Sequence, residues 1–430
     1  MKVIDTSRDF SELKQKCKDS DIILLFIPND HRVHPEEQDI IGVYIQPLNN
    51  TCSYYVSTCH EESIKNFSIQ EILEVINLAN KKYIRDIKDI PSKIYLRDFH
   101  CCNSSLYYCF GKTIEVENTS AHRKLYSMYW DRTNVNKIIP IYKHIESCQI
   151  IANKIVHTIN SAEFDSCKNN ETMKDYLLSL RKIESAGLYT IDDNLERCKY
   201  NPYTLTGRPS NTFNKINYAA LNKSDGTRNK YISRFENGAI LELDYDAYHL
   251  RIIAEIIGYE LPSGSIHQYL GKQYFSKDVL TDKEYNEAKQ ISFQILYGGI
   301  PKEFLSIPFF SMVNEFILKF WQKWKTKNHF ETYLYKRKVS ETVIGEMTPQ
   351  KLFNYYIQSA ETELNSEAMK RVFDVISKYE TKFILYTYDS FTFDFNMNEG
   401  KDLILKIKDA MKYPTKVSVG SNYGDLKDVS

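Results

Sequence analysis

The stretch GAILELDYDAYHLRIIAEIIG, residues 238–258, sets the strongest constraint on the fold of this chain. It starts as an apolar strand, runs into the carboxylate of Asp244 and continues as a helix with its apolar residues at helical spacing. A carboxylate at the end of a buried strand is costly unless it has a partner. Asp246 is better placed to cap the helix, so capping does not explain Asp244. We therefore expect Asp244 to serve a site at a sheet edge.

Length and composition define the broad class of protein. A chain of 430 residues is too long for one compact core and predicts two or three domains. The formal net charge is zero, so any nucleic-acid binding must come from local patches. The longest apolar runs are too short for a membrane span, and no cleavable signal peptide is visible, which favours a soluble cytoplasmic protein.

The cysteines are distributed unevenly along the chain. All nine lie between Cys17 and Cys198, and none follows. Their number is odd and no CxxC pair occurs, so reduced thiols are favoured over a zinc site or a disulfide framework. The uneven distribution suggests a domain boundary near residue 200.

The order of predicted elements is that of an α/β region followed by an α+β region. Apolar strands alternate with a helix early in the chain, two helices and a polar loop follow, and the remainder mixes strands with long helices. The expected elements are strands within 20–57, helices at 68–80, 142–160 and 171–186, a loop at 199–217, helices through 266–335 and 348–379, and strands within 382–395 and 415–424.

Asp389 is the second conspicuous carboxylate. Alone it is typical of an ordinary turn residue, since Asp favours turns. If strand 239–244 and hairpin 383–394 are neighbours in one sheet, Asp389 and Asp244 meet at its edge. Paired carboxylates of this kind hold two magnesium ions about 3.5–4 Å apart for in-line phosphoryl transfer.

Two sets of residues at helical spacing can be interpreted either as ordinary structural residues or as functional ones. Lys289, Phe293 and Tyr297 share one helical face, which is typical of a core with a surface lysine but also offers a cation for phosphate and aromatic rings for a base. Asn354 and Gln358 lie one turn apart, either as a hydrogen-bonded surface pair or as readers of a duplex minor groove. Spacing alone leaves both alternatives open.

Taken together and in order, these motifs resemble those of family A DNA polymerases, the class that includes bacterial DNA polymerase I and several phage enzymes. The resemblance covers about residues 200–430 well and the preceding part loosely. The matching segments are TGRPSN (206–211), LDYDAYHLRIIAEI (243–256), SIH (265–267), KQISFQILYG (289–298), NYYIQS (354–359), TYDSFTF (387–393) and VGSNYG (419–424).

The resemblance implies an α+β right-hand polymerase fold. We expect reduced thumb helices at 151–199, then a palm and fingers at 200–430 with the fingers at about 263–342. An α/β RNase H-like exonuclease-type domain is expected at 1–150. The positions that would hold its metal ligands, around Ile27 and Asn103, lack the expected carboxylates, so this domain is expected to be inactive and the enzyme to lack proofreading.

The resemblance also implies roles for individual residues. Asp244 and Asp389 would be the catalytic pair and would bind two Mg²⁺ ions with the help of Tyr245, Mn²⁺ being able to substitute. The residues expected to bind the nucleotide are His249, His267, Lys289, Phe293 and Tyr297. Those expected to contact DNA are Arg208, Asn354, Gln358 and Tyr388. The implied partners are primer–template DNA, deoxynucleoside triphosphates and a processivity or replisome factor, with no membrane.

Five residues depart from the family pattern. Tyr285 stands where an arginine contacts the triphosphate, and Pro209 where an apolar residue is usual. Tyr388 and Ser390 flank Asp389 in place of histidine and glutamate. His249 replaces the glutamate that excludes a 2′-hydroxyl, so we expect weaker discrimination against ribonucleotides than in a relative with that glutamate.

Two other functions stay open at this point. One is a nucleotidyltransferase resembling single-subunit RNA polymerases. The absence of the family glutamate at position 249, which is histidine here, leaves this alternative open. The other is a non-catalytic duplex-binding replication protein, against which the intact carboxylate pair argues. The compact form is compatible with a phage-encoded enzyme acting in the host cytoplasm.

Overall fold

The structure is a computed structural model that describes residues 1–30, 32–50, 52–115, 137–161, 164 and 172–429. The chain forms two compact units, Met1–Arg181 and Lys182–Ser430. The three-part division expected from the sequence stays a prediction. Among the helices of the described residues, none has the length and apolar character that crossing a membrane requires.

The first unit is built on a six-stranded mixed sheet in the order β1-β4-β3-β2-β5-β6. Strands β2, β3 and β4 form an antiparallel meander, whereas β5 and β6 continue from β2 in parallel. The strands are β1 (Lys2–Ile4), β2 (Ile22–Pro28), β3 (Ile40–Pro47), β4 (Tyr54–Ser57), β5 (Lys82–Ile84) and β6 (Phe99–Cys101). The helices are α1 (Ser7–Cys17), α2 (Ile69–Ile76), α3 (Cys102–Phe110), α4 (Ile141–Ile159) and α5 (Thr172–Ala186), the last of which ends in the second unit.

Helix α4 packs in the core of this first unit. Its buried residues recur at helical spacing, and they join apolar side chains of β2 and β3 such as Ile23 and Tyr44 in one cluster. The helix therefore covers one face of the sheet and continues past residue 150. Its buried members are Ile141, Ile145, Cys148, Ala152 and Ile155.

The second unit contains a five-stranded antiparallel sheet in the order β15-β16-β12-β17-β18. Three smaller sheets accompany it in the described part of this unit. The strands of the large sheet are β12 (Gly238–Tyr245), β15 (Lys382–Tyr386), β16 (Ser390–Asn396), β17 (Thr415–Gly420) and β18 (Lys427–Asp428). Those of the smaller sheets are β7 (Leu188–Tyr189), β8 (Leu195–Glu196), β9 (Tyr200–Asn201), β10 (Ser210–Phe213), β11 (Ile216–Asn217), β13 (His329–Glu331) and β14 (Lys338–Ser340).

Helices of the second unit share a second apolar cluster. Buried residues of α6 to α9 and α11, including Leu250, Leu270 and Phe310, form this cluster. Helix α8 begins with a capping box between Thr281 and Glu284, which satisfies main-chain donors at its start. The helices are α6 (Tyr248–Ile257), α7 (Ile266–Phe275), α8 (Asp282–Gly298), α9 (Pro308–Lys327), α10 (Glu341–Ile344), α11 (Pro349–Ile376) and α12 (Lys401–Met411).

The start of α6 differs from the sequence-based expectation. Ala247, with φ of 51° and ψ of 42°, occupies the N-cap position and makes no side-chain capping bond. Asp246 instead accepts a hydrogen bond from the Arg251 guanidinium at 3.1 Å. The expectation that Asp246 caps this helix was wrong, because the carboxylate is drawn to the cation one turn into the helix.

Candidate active site

Asp244 and Asp389 lie at the same edge of the large sheet. Asp244 sits opposite Ser390 in the antiparallel ladder of β12 and β16. Asp389 occupies the turn that joins β15 to β16, after Tyr388 at φ of 69°. A non-glycine residue in that conformation is uncommon and indicates a turn held by its surroundings. The sheet thus brings together the two carboxylates that the sequence singled out.

The electrostatics of this edge favour a cation. Burial, followed by the charges of Asp389 and Glu242, raises the pKa of Asp244 to about 7, against the opposing effect of Lys289. The pKa of Asp389 is also raised, by loss of solvation and by the Glu361 carboxylate. Carboxylates crowded in this way are stabilised in their ionised form when a positive charge binds between them.

The donor atoms suit magnesium. Asp244 and Asp389 offer hard oxygen ligands of the kind that Mg²⁺ prefers. The side chain of Tyr245 stacks on Tyr248 with ring centroids 4.0 Å apart, and its hydroxyl donates to the Met411 carbonyl. Tyr245 can therefore contribute only its main-chain oxygen. No group of three or more His, Cys, Asp or Glu side chains forms a metal cage in the described residues, so an ion here would complete its shell with water or phosphate oxygens.

The aromatic stripe of α8 faces solvent. Phe293 is 41% exposed and Tyr297 36% exposed, and their rings are parallel with centroids 6.2 Å apart. Lys289 is exposed one turn before them. Helix α8 buries its other face, through residues such as Ala288 and Ile295. The core-packing interpretation of this stripe is therefore excluded, and a flat aromatic surface with a nearby cation remains.

His267 is a buried, uncharged imidazole. It is 4% exposed on α7, and burial together with Lys289 lowers its pKa to about 4. The rings of Tyr285 and Phe293 each lie 6.2 Å from it. Its Nδ1 has no hydrogen-bond partner among the described residues. At neutral pH this residue can offer a ligand one hydrogen bond but no positive charge.

His249 is held from two sides. Its Nδ1 is hydrogen-bonded to the hydroxyl of Tyr297, and its Nε2 lies 3.1 Å from Oε1 of Glu361. Glu361 lies on α11 and was not singled out from the sequence. The available signal was its position three residues after Gln358, which places it on the same side of the helix.

The residues expected to contact DNA lie on three elements around the same edge. The guanidinium carbon of Arg208 is 3.8 Å from the ring centroid of Tyr388, a cation–π contact. Asn354 donates to the main-chain carbonyl of Tyr297 at 3.4 Å, which links α11 to α8. Gln358, one turn further along α11, is partly exposed.

Comparison with known proteins supports the fold. Neither a protein-family profile nor a curated protein matches the chain. Among solved structures, the chain is similar to the POL domain of Pol1 from M. smegmatis, determined in complex with a DNA primer-template and dNTP. The TM-score is 0.71, the sequences are 12% identical, and the similarity covers 99% of each chain. The chain therefore has a polymerase-domain fold over nearly its whole length.

Proposed function

We propose that this protein is a template-directed DNA polymerase of the family A type, which adds deoxynucleotides to a primer 3′-hydroxyl by a two-metal mechanism. One observation carries the proposal. Asp244 and Asp389 meet at one sheet edge, beside an exposed aromatic and cationic helix face, in a chain whose fold resembles a DNA polymerase domain. The protein of known structure was determined in complex with a DNA primer-template and dNTP, and we extend these ligands to this chain.

The protein side chains mainly position the reactants and take little covalent part in the reaction. Two Mg²⁺ ions on Asp244 and Asp389 would neutralise charge on the attacking and leaving oxygens. Lys289 supplies a positive charge to the triphosphate, and His267 donates one hydrogen bond to it. The parallel rings of Phe293 and Tyr297 offer a surface against which a sugar and a base can pack. Such positioning suits phosphoryl transfer, which demands little covalent chemistry from the enzyme.

The primer–template duplex would lie against Arg208, Tyr388 and the exposed side of α11. Arg208, Asn354 and Gln358 carry donors that suit the acceptors present in the minor groove whatever the base pair. Since the chain has no net charge, these local donors matter more to duplex binding than the overall charge of the protein.

We further propose that the first unit is exonuclease-like without proofreading activity. Its antiparallel meander followed by two parallel strands supports an RNase H-like arrangement. Burial raises the pKa of the Cys101 thiol to about 12, which disfavours a free thiolate at this position. The Asn103 side chain donates to Asp86 at 3.1 Å and accepts from the Ile114 amide at 2.8 Å. These contacts within the first unit support the proposal.

The test is extension of a labelled primer on a template with Mg²⁺ or Mn²⁺. Wild type is expected to add templated deoxynucleotides, and Asp389→Asn to lose at least about 1,000-fold in rate. Asp402→Asn, which changes an exposed acid on α12, is the matched control and should behave as wild type. A mismatched 3′ end should not be removed by wild type.

The same assay separates the other candidate functions. Preference for ribonucleoside triphosphates would favour the RNA polymerase-like activity. Duplex binding without extension by wild type, in either metal, would favour the non-catalytic replication protein and overturn the proposal. The ratio of deoxyribonucleotide to ribonucleotide incorporation measures how well the site with His249 excludes a 2′-hydroxyl. We expect this ratio to be lower than in a relative with glutamate at that position.

A further inference from the structure

A buried carboxylate, Glu361, lies in the middle of the candidate site and has no role in the chemistry described above. It is 1% exposed on α11. A buried ionised carboxylate is costly unless cations accompany it. Two basic side chains, His249 and Arg208, accompany Glu361, and both belong to the set of residues proposed to contact the substrates.

The two companions approach different oxygens of Glu361. Nε2 of His249 lies 3.1 Å from Oε1, and Nε of Arg208 lies 3.4 Å from Oε2. These are close contacts between basic side chains and the carboxylate, and none of the four atoms makes a well-aligned hydrogen bond within the described residues. Burial alone would raise the pKa of Glu361, but His249 and Arg208 together hold this pKa below its usual value. The carboxylate is therefore ionised at neutral pH.

Each companion is also held on its other side. Nδ1 of His249 is hydrogen-bonded to the Tyr297 hydroxyl, so both ring nitrogens have a partner and the ring cannot rotate freely. The Arg208 guanidinium lies between the Tyr388 ring and the carboxylate. One buried carboxylate thus contacts two side chains from separate segments of the chain, His249 on α6 and Arg208 just before β10.

We infer that Glu361 is a positioning residue that sets sugar selection and primer-end binding together, by holding His249 on one carboxylate oxygen and Arg208 on the other. The inference rests on the proposed polymerase function. In it, His249 takes the place of an acidic residue that excludes a 2′-hydroxyl, and the carboxylate of Glu361 on α11 lies against the imidazole and fixes its position. Loss of Glu361 frees the imidazole to swing away from the sugar and frees Arg208 from its place over Tyr388.

The first test compares Glu361→Gln with Glu363→Gln. Glu363 is a buried acid on the same helix that accepts from the amides of Leu334 and Tyr335, so its variant controls for the loss of a buried charge. For Glu361→Gln we expect the deoxy-to-ribo ratio of kcat/KM to fall about tenfold, the usual effect of losing one charged contact. The KM for primer–template should rise with it. Glu363→Gln should leave both at wild-type values.

Binding measurements keep this inference separate from the proposed function. A dideoxy-terminated primer on a template, with deoxy- or ribonucleoside triphosphate added, reports nucleotide affinity without turnover. If wild type extends primers but Glu361→Gln retains the wild-type ratio and affinities, the inference is overturned while the polymerase stands. If wild type extends nothing, the polymerase proposal is what has failed.

The second test exchanges the side chains at positions 249 and 361. His249→Glu alone places two carboxylates against each other in a buried site, and it should lower stability and activity. Combined with Glu361→His, it restores an acid–imidazole pair in reversed order. We expect the double variant to regain the stability and activity that His249→Glu loses and the deoxy-to-ribo ratio that Glu361→His loses. A double variant no better than the worse single variant would contradict the inference.

Discussion

The main-chain amide of Tyr245 donates a hydrogen bond to the carbonyl oxygen of Asp389, with a nitrogen–oxygen distance of 2.9 Å. This bond ties the end of β12 to the turn between β15 and β16. The neighbouring Asp244 and Asp389 are therefore attached to one regular hydrogen-bonded framework. Because this bond fastens the turn that carries Asp389 to the strand that carries Asp244, the site should hold its geometry better than one carried on mobile loops.

Asp244→Asn is expected to stabilise the metal-free protein at alkaline pH. The pKa of Asp244 is about 7 in the fold against 3.8 for the ordinary group. The folded state therefore holds the proton more tightly, and the free energy of unfolding falls as the pH rises from about 4 to about 7. Denaturant unfolding in EDTA at pH 5 and pH 8 measures this, and at pH 8 the variant should be more stable by at most about 4 kcal/mol.

Magnesium at pH 8 should make wild type more stable than Asp244→Asn, the reverse of the order in EDTA. A ligand that binds only the folded state raises its stability, so Mg²⁺ at pH 8 is expected to raise the Tm of wild type and to have little effect on Asp244→Asn. Equal shifts in both proteins would show that the ion binds elsewhere.

Acid is expected to destabilise the first unit through His100. This imidazole is buried, contacts Ser105 at 2.9 Å, and has its pKa lowered from 6.5 to about 4 by burial. Because the unfolded chain binds the proton more tightly, stability is complete above about pH 6.5 and is lost as the pH falls toward 4, by about 3 kcal/mol. His100→Phe with Ser105→Ala should flatten this loss, as followed by urea unfolding. The exposed His157→Phe is the control and should leave the slope with pH unchanged.

Tyr388 is expected to contribute to duplex binding through its ring. Its contact with Arg208, at 3.8 Å, is of a kind worth about 0.5–2 kcal/mol. Tyr388→Ser should weaken primer–template binding by roughly 2- to 30-fold, whereas Tyr388→Phe keeps the ring and should stay within about twofold. Both variants share the same backbone strain at φ of 69°. Fluorescence anisotropy at one fixed salt concentration measures the affinities. Equal losses in the two variants would assign the effect to the hydroxyl.

Arg234 is expected to be essential to the stability of the large sheet. Asp394 on β16 is fully buried, and Nε of Arg234 lies 2.6 Å from its Oδ2. Arg234→Leu leaves that charge unpaired and should cost about 3–5 kcal/mol of stability, measured by chemical denaturation. Adding Asp394→Asn should recover much of the loss. A single variant that costs under about 1 kcal/mol would mean that Ser233 and the main chain suffice to hold the carboxylate.

Local patterns predicted much of the second unit. The strand ending near Asp244, the hairpin around Asp389 and the long helix beginning at Pro349 lie where residue spacing placed them. Their periodicity is decided by near neighbours along the chain, so it is visible in the sequence. The N-cap of α6 was mispredicted, because Asp246 had a competing cation in Arg251.

The sequence by itself determined the order of motifs, the two carboxylates and the helical face of Lys289, Phe293 and Tyr297. Only the tertiary structure decided that this face is exposed and that Glu361 holds His249 and Arg208. The reason is physical. Helical and strand spacing is set by contacts between residues a few positions apart, whereas a buried charge finds its partners on elements far apart in the chain, which meet only when the fold is complete.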